Sequence, residues 1–205
     1  MTQPGRAAHH APRHHRHNAV FDALFAIAMA FRAGSVARFV AGLAELTPDD
    51  RVLDIGCGPG AAARIAARRC VTATGVDPTP AMLRMGRWIN AVRGARNVSL
   101  VGGSAEHIPL PDRSASVIWA LRSVHHWNDR AAGLAEALRV LSPGGRLLLV
   151  EQLVEPGAHG GMTSDDVDQL MRDVDATGFI DVRRETRVRG RKPFNVIRAS
   201  RKLAD

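Results

Sequence analysis

Residues 52–60 read Val-Leu-Asp-Ile-Gly-Cys-Gly-Pro-Gly, an apolar strand that breaks into glycine at every second position, Gly56, Gly58 and Gly60. Alternating glycines let the backbone turn sharply and approach a ligand with no Cβ in the way, while the next helix opens toward that ligand. The segment therefore predicts a strand, a tight turn and a helix, which is the first unit of an open α/β sheet. Gly56 to Ala61 also satisfies the G-x-G-x-x-G/A fingerprint of dinucleotide binders, a weak match when taken alone.

Two acids narrow the reading. In dinucleotide binders the residue two before the first glycine belongs to the apolar strand, and a pyrophosphate sits at the helix N-terminus. Here that residue is Asp54, whose charge suits a cationic ligand group better than a pyrophosphate. A second apolar stretch, Val71 to Val76, ends in Asp77, roughly twenty residues past the loop, where an acid can accept from both hydroxyls of a ribose. The plainer alternatives are a Gly-rich connector and an Asp77 that only starts a turn or caps a helix before Pro78. Both features at this separation favour the ligand.

These residues resemble the class I S-adenosylmethionine-dependent methyltransferases, and within them the small-molecule branch typified by quinone-biosynthesis enzymes, over residues 45–153. The resemblance implies that Asp54, Gly56, Cys57, Gly58 and Pro59 cradle the methionine part of the cofactor. It implies that Asp77, followed by Pro78 and Met82, holds the ribose, and that Gly103-Ser104-Ala105-Glu106 holds the adenine. Ser104 stands where the family commonly has aspartate, so the contact to the adenine amino group passes to Glu106 or to backbone. Leu121 and Arg122 match the floor of the methionine pocket. Cys57, beside the loop, reads as a small residue packed under the turn rather than a nucleophile.

From residue 51 onward strand and helix patterns alternate. Strands are expected near 51–55, 72–76, 97–101, 115–121 and 146–152, and helices near 61–69, 79–92 and 129–141. Asn128 is expected to cap the third of these helices, and Ser142-Pro143-Gly144-Gly145 to break the chain before the fifth strand. A helix near 164–176 and strands near 179–187 and 194–200, joined by a short link at Arg189 to Pro193, predict a final hairpin. The expected architecture is a three-layer α/β Rossmann-like methyltransferase fold. Its sheet is seven-stranded and mostly parallel, and the resemblance makes the last strand antiparallel.

Upstream, residues 1–18 are polar, rich in His and Arg and without hydrophobic periodicity, so a disordered tail is expected; its histidines lack carboxylate or cysteine partners, and no metal is assigned to them. Residues 19–46 carry Val20, Leu24, Ile27, Phe31, Val36, Phe39, Val40 and Leu43 at helical spacing, a helical cover interrupted near Gly34-Ser35. The domain proper then runs over 47–205. The basic leader imitates a secretory signal, but the apolar run is too short to span a bilayer, has Asp22 and Arg32 close about it and continues its amphipathic stripe. With two cysteines in no paired spacing, a reducing cytoplasm is the expected compartment.

The formal net charge of +8 raises nucleic acid or an acidic membrane surface as partners. Much of the excess lies at the two ends, in Arg6, Arg13 and Arg16 and between Arg183 and Lys202. With no tyrosine and 4% aromatic residues the chain lacks the stacking platforms of single-strand binders, so a small-molecule acceptor is favoured over nucleic acid. Peripheral membrane contact stays open.

Catalysis is sought after the fourth strand, at Arg122-Ser123-Val124-His125-His126-Trp127, because ligands of open α/β sheets lie beyond the carboxyl ends of the strands. Methyl transfer from a sulfonium needs chiefly a nucleophile held in line. A hydroxyl, carbon or ammonium acceptor must also lose a proton, which points to His126 or else His125 as a base or orienting group. Against this, both histidines could serve the turn alone. No Asn/Asp-Pro-Pro-aromatic segment is present, which disfavours methylation of exocyclic amines. The alternatives carried forward are an RNA methyltransferase using the basic C-terminal strands, a non-catalytic cofactor-binding regulator and, more distantly, an NAD-dependent oxidoreductase.

Overall fold

The computed structural model describes residues 37–189 and 192–204. The elements in chain order are α1 (37–43), β1 (Arg51–Ile55), α2 (Ala61–Ala66), β2 (Thr72–Asp77), α3 (Pro80–Arg93), β3 (Val98–Gly102), β4 (Ala115–Leu121), α4 (Arg130–Val140), β5 (Leu141–Gln152), α5 (Ser164–Thr177), β6 (Ile180–Arg189) and β7 (Lys192–Ser200). A single 3₁₀ turn, Val124–His126, follows β4. The seven strands lie in the order β3-β2-β1-β4-β5-β7-β6, with β7 antiparallel to both its neighbours, as expected.

Strand alternation divides the core into two layers. Leu53, Ile55, Ile118, Ala120, Leu147 and Leu149 face α4 and α5, where Leu134, Ala137, Leu170 and Val174 complete one apolar cluster. Val52, Val117, Trp119, Leu148 and Val150 face the other way, toward α1, α2 and α3. Strands buried on both faces read as near-continuous apolar runs, which is why a lone acid such as Asp54 stands out in them. The described part of the N-terminal cover, α1, buries Ala37, Val40 and Ala41 against the sheet. The expected disordered tail with its histidines, and the rest of the cover, lie outside the described residues.

Three expected boundaries shift for local reasons. α2 ends at Ala66 rather than at 69, because the Asn97 side chain donates to the carbonyls of Ala67, Cys70 and Val71 and gathers that segment into a turn. The cap of α4 is Asp129, not Asn128: the Asp129 carboxylate accepts from Ala132 N–H at 3.0 Å. The Ser142 to Gly145 break is looped out within β5. Leu141 pairs with Ala115 and Arg146 with Val117, and Gly144 takes a left-handed φ of 72°. The final hairpin is present, with Arg189 paired to Lys192.

Below the sheet Asp50 ties β1 to β4 and β5. It accepts from Thr47 N–H at 2.8 Å, from Ser116 Oγ at 2.7 Å and from Arg146 Nη2 at 2.6 Å. Burial alone would raise its carboxyl, but these hydrogen bonds and Arg146 outweigh it and hold it below the usual range. Its contribution is therefore present at neutral pH and lost as pH falls through that lowered value. Asp50→Ala should cost about 2–3 kcal/mol in chemical denaturation at pH 7, and the cost should shrink as the pH is lowered through the depressed value of this carboxyl. An unchanged midpoint at pH 7 would refute the tie.

Candidate active site

The strand order turns back on itself between β1 and β4, which opens a crevice at their carboxyl ends. The loop after β1 lies on one side of it. Gly56, Gly58 and Gly60 all adopt left-handed φ, 74°, 52° and 74°. Gly56 and Cys57 N–H both donate to Val76 O, and Gly58 N–H donates to Asp77 Oδ2 at 2.8 Å, so the loop is pinned to the end of β2. A Cβ at Gly56 would stand 2.4 Å from Ser123, whereas one at Gly58 would meet nothing within 4 Å. The loop is thus locked on its inner side and open at Gly58.

One cleft brings together several of the residues picked from sequence. Gly56, Asp77, Pro78, Ser104, Ala105 and Glu106 line it, and so does His126. Trp127 forms another wall, packed so closely on α4 that a Cβ at Gly133 would lie 2.6 Å from its ring. Asp77 serves the turn as well, since its Oδ1 accepts from Thr79 N–H, the N-cap residue of α3. A carboxylate has about four acceptor positions, so both roles fit one side chain. Glu106 Oε1 accepts from the backbone N–H of Asn128 and Asp129. Burial opposes ionisation of Glu106, but hydrogen bonds from backbone and from Ser104 prevail and lower its pKa.

The other residues picked from sequence stand off the cleft wall. Cys57 packs beneath the loop, where a Cβ on Gly75 would lie 2.6 Å from its sulfur, and burial drives its thiol far above the ordinary value. Pro59 gives its carbonyl to Arg64, and Met82 is half-buried in the first turns of α3. Leu121 and Arg122 end β4 and its turn. Arg122 has a φ of 57° and reaches toward Gly160 O at 3.4 Å, away from the cleft.

Asp54 is buried at 2% exposure, and its Oδ2 has no hydrogen-bond partner. It sits beside Trp119, its register partner on β4. Burial, the largest influence, and the neighbouring negative charge of Asp77 push its carboxyl up to about 7, against a smaller opposing pull from the Trp119 indole and Arg64. A buried acceptor left unfilled next to the glycine loop fits a cofactor with a cationic end.

Sequence reasoning passes over Glu151. It is 2% exposed at the end of β5, accepts from Val124 N–H at 2.8 Å and contacts His125 Nδ1 at 2.7 Å. One carboxylate therefore holds both the backbone of the 3₁₀ turn and its first histidine. The rings of His125 and His126 lie 4.0 Å apart. Burial and then the charge of His125 lower the pKa of His126, while Glu151 pulls it up, with a net shift that favours the neutral imidazole. The signal that could have found Glu151 is the one that found Asp54, a lone acid in an apolar strand, here Leu147-Leu148-Leu149-Val150-Glu151.

Comparison with known proteins agrees with this geometry. A family model described as a methyltransferase domain matches residues 53–149. The 27-O-demethylrifamycin SV methyltransferase of Amycolatopsis mediterranei is 40% identical over 124 residues, covering 59% of this chain and 45% of that protein. The uncharacterized methyltransferase YdaC of Bacillus subtilis is 30% identical over 139 residues, covering 67% of this chain and 75% of YdaC. The chain thus spans about half the length of the first of these curated relatives. The crystal structure of a SAM-dependent methyltransferase from Aquifex aeolicus shares the fold, with a TM-score of 0.67 and 19% identity over 80% of this chain and 88% of that one. On the glycine loop, the two acids, the sheet order and these matches, the chain belongs to the class I S-adenosylmethionine-dependent methyltransferases.

Proposed function

We propose that this chain transfers a methyl group from S-adenosylmethionine to a small, hydrophobic acceptor in the cytoplasm. The observation that carries the reading is the meeting, in one cleft at the β1/β4 crevice, of Asp77 and the Ser104 to Glu106 segment with His126 and Trp127. Cofactor side and acceptor side are then walls of the same space. Asp54 and the Gly56 to Gly58 loop would take the amino acid end, Asp77 the ribose hydroxyls, and Ser104 with Glu106 the adenine. When bound, the cofactor supplies an electrophilic methyl on a sulfonium.

The chain's own residues do the rest. Trp127 offers an apolar wall that excludes water and orients a hydrophobic acceptor. His126, its neutral imidazole favoured, takes the acceptor's proton. His125 and Glu151 are positioning residues that fix the turn on which His126 stands. The rifamycin relative's name describes an O-methylation, which supports a hydroxyl on a small molecule as acceptor. Among the described residues no helix is long and apolar enough to cross a membrane. On the C-terminal strands Arg184 pairs with Asp168, and Arg187 and Arg198 pair with Glu185, which weakens the case for a phosphate-tracking surface there.

Calorimetry should register binding of S-adenosylhomocysteine and none of NAD. Labelled methyl from S-adenosylmethionine should enter an organic-soluble extract rather than a polar metabolite extract. Binding of NAD alone would overturn the cofactor assignment, and labelling confined to the polar pool would overturn the acceptor class.

A further inference from the structure

Besides the positive charge at its two ends, the chain carries a second basic stretch in its first half. Between residues 61 and 100 stand seven arginines and one acid, Asp77, which belongs to the cleft. Arg64 and Arg87 are spent on internal contacts, with Pro59 O and Asn90 and with Leu100 O. The remaining five, Arg68, Arg69, Arg84, Arg93 and Arg96, are exposed, and among the described residues none has a hydrogen bond or ion pair through its side chain. Several arginines elsewhere are matched by acids: Arg139 with Glu136 and Asp112, Arg146 with Asp50, Arg184 with Asp168.

The fold makes these five arginines one surface. Asn97 draws the 67–71 turn, carrying Arg68 and Arg69, against the end of α3 and the turn after it, which carry Arg93 and Arg96. On the outer face of α3, Arg84, Trp88 and Val92 follow at four-residue intervals. Trp88 and Val92 are each 67% exposed, and Val71 in the adjoining turn is 52% exposed. Three of the six exposed large hydrophobics among the described residues therefore lie within the arginine cluster.

We propose that this edge, the outer face of α3 with the turns beside it, docks on an anionic phospholipid surface. Charge complementarity selects a polyanion, since these five cations have no counter-charge among the described residues. The interleaved indole and valines select a lipid: tryptophan settles at the membrane–water interface with arginines around it, and a helix with these neighbours lies in the interface plane. A single-stranded nucleic acid would call for several stacking aromatics along a groove, and Trp88 is the one exposed large aromatic among the described residues.

The test is co-sedimentation of the full chain, without cofactor, with vesicles rich in phosphatidylglycerol, with phosphatidylcholine vesicles and with single-stranded RNA. Binding to the phosphatidylglycerol vesicles alone is expected, weakened by salt and accompanied by a blue shift in tryptophan emission that Trp88→Phe abolishes. Arg93→Glu with Arg96→Glu should weaken vesicle binding by roughly tenfold or more, with melting temperature unchanged because both side chains are exposed. Trp88→Ser, which leaves the charges in place, should also weaken it. Equal binding to neutral vesicles, binding indifferent to all of these substitutions, or no binding to anionic vesicles would overturn the proposal. Retention of RNA instead, lost in the same arginine variants, would give the edge to a nucleic acid. Vesicle binding is read without turnover, so its failure is distinguishable from failure of the methyl-transfer reading.

Discussion

Asp54→Asn is expected to stabilise the ligand-free protein above pH 7 and at the same time to weaken cofactor binding about a hundredfold. The carboxyl of Asp54 is raised from 3.8 to about 7 by burial. The folded state therefore holds this proton more tightly than the unfolded chain does. Stability linked to it is full below pH 3.8 and drains away as pH rises through about 7. Asparagine mimics the protonated form at every pH, so the gain should be small at pH 4 and about 4 kcal/mol at pH 8.

Cofactor binding should run the other way. A cationic group brought to Asp54 favours its ionised form, so wild-type affinity for S-adenosylhomocysteine should rise with pH through about 7 and flatten in the variant. Thermal melts from pH 4 to 8 with and without ligand would separate the two effects. A ligand-free variant whose melting temperature tracks wild type across that range would show that Asp54 carries no such strain. Few residues stabilise a protein when neutralised and disable it in the same stroke, and that pairing is expected where a ligand supplies the missing partner.

What could be read from sequence is what lies close together in the chain. The β1 loop, with Gly56 and Gly58, needs only nine residues to announce itself, and Asp77 is legible because β2 follows at a spacing that crossover units enforce. Glu151 stands out in sequence as a lone acid in an apolar strand, but its role does not. Its meaning comes from Val124 and His125, 27 and 26 residues away, and those contacts exist only once β4 and β5 pair. The basic edge escaped for a similar reason, since Arg68 and Arg96 become neighbours through the side chain of Asn97 rather than through proximity in the chain. Caps and breaks fell between these cases. Asn128 and Asp129 have equal capping chemistry, and Glu106 decides between them by taking both their N–H groups, which leaves the Asp129 carboxylate to reach Ala132.

His126→Ala should lower kcat about a hundredfold, the usual contribution of a positioned proton acceptor, with affinity for S-adenosylhomocysteine unchanged. Glu151→Gln should cost about tenfold in kcat, because glutamine keeps the size but weakens the hold on Val124 N–H and His125. The pH profile separates positioning from a merely structural role. The base acts when neutral, so activity is present above the pKa of His126 and lost as pH falls through it, at a point below 6.5. Glu151 raises that pKa and His125 lowers it. Glu151→Gln should therefore move the acid limb to lower pH, and His125→Asn should move it up toward 6.5. Opposite displacements from two residues that touch each other are not what a general loosening of the turn produces. In the double variant His126→Ala with Glu151→Gln, kcat should fall no further than in His126→Ala alone, since the carboxylate acts through the turn it holds. Full additivity of the two losses, or an acid limb that stays in place in both single variants, would sever Glu151 from the proton transfer and leave it a strand-end anchor.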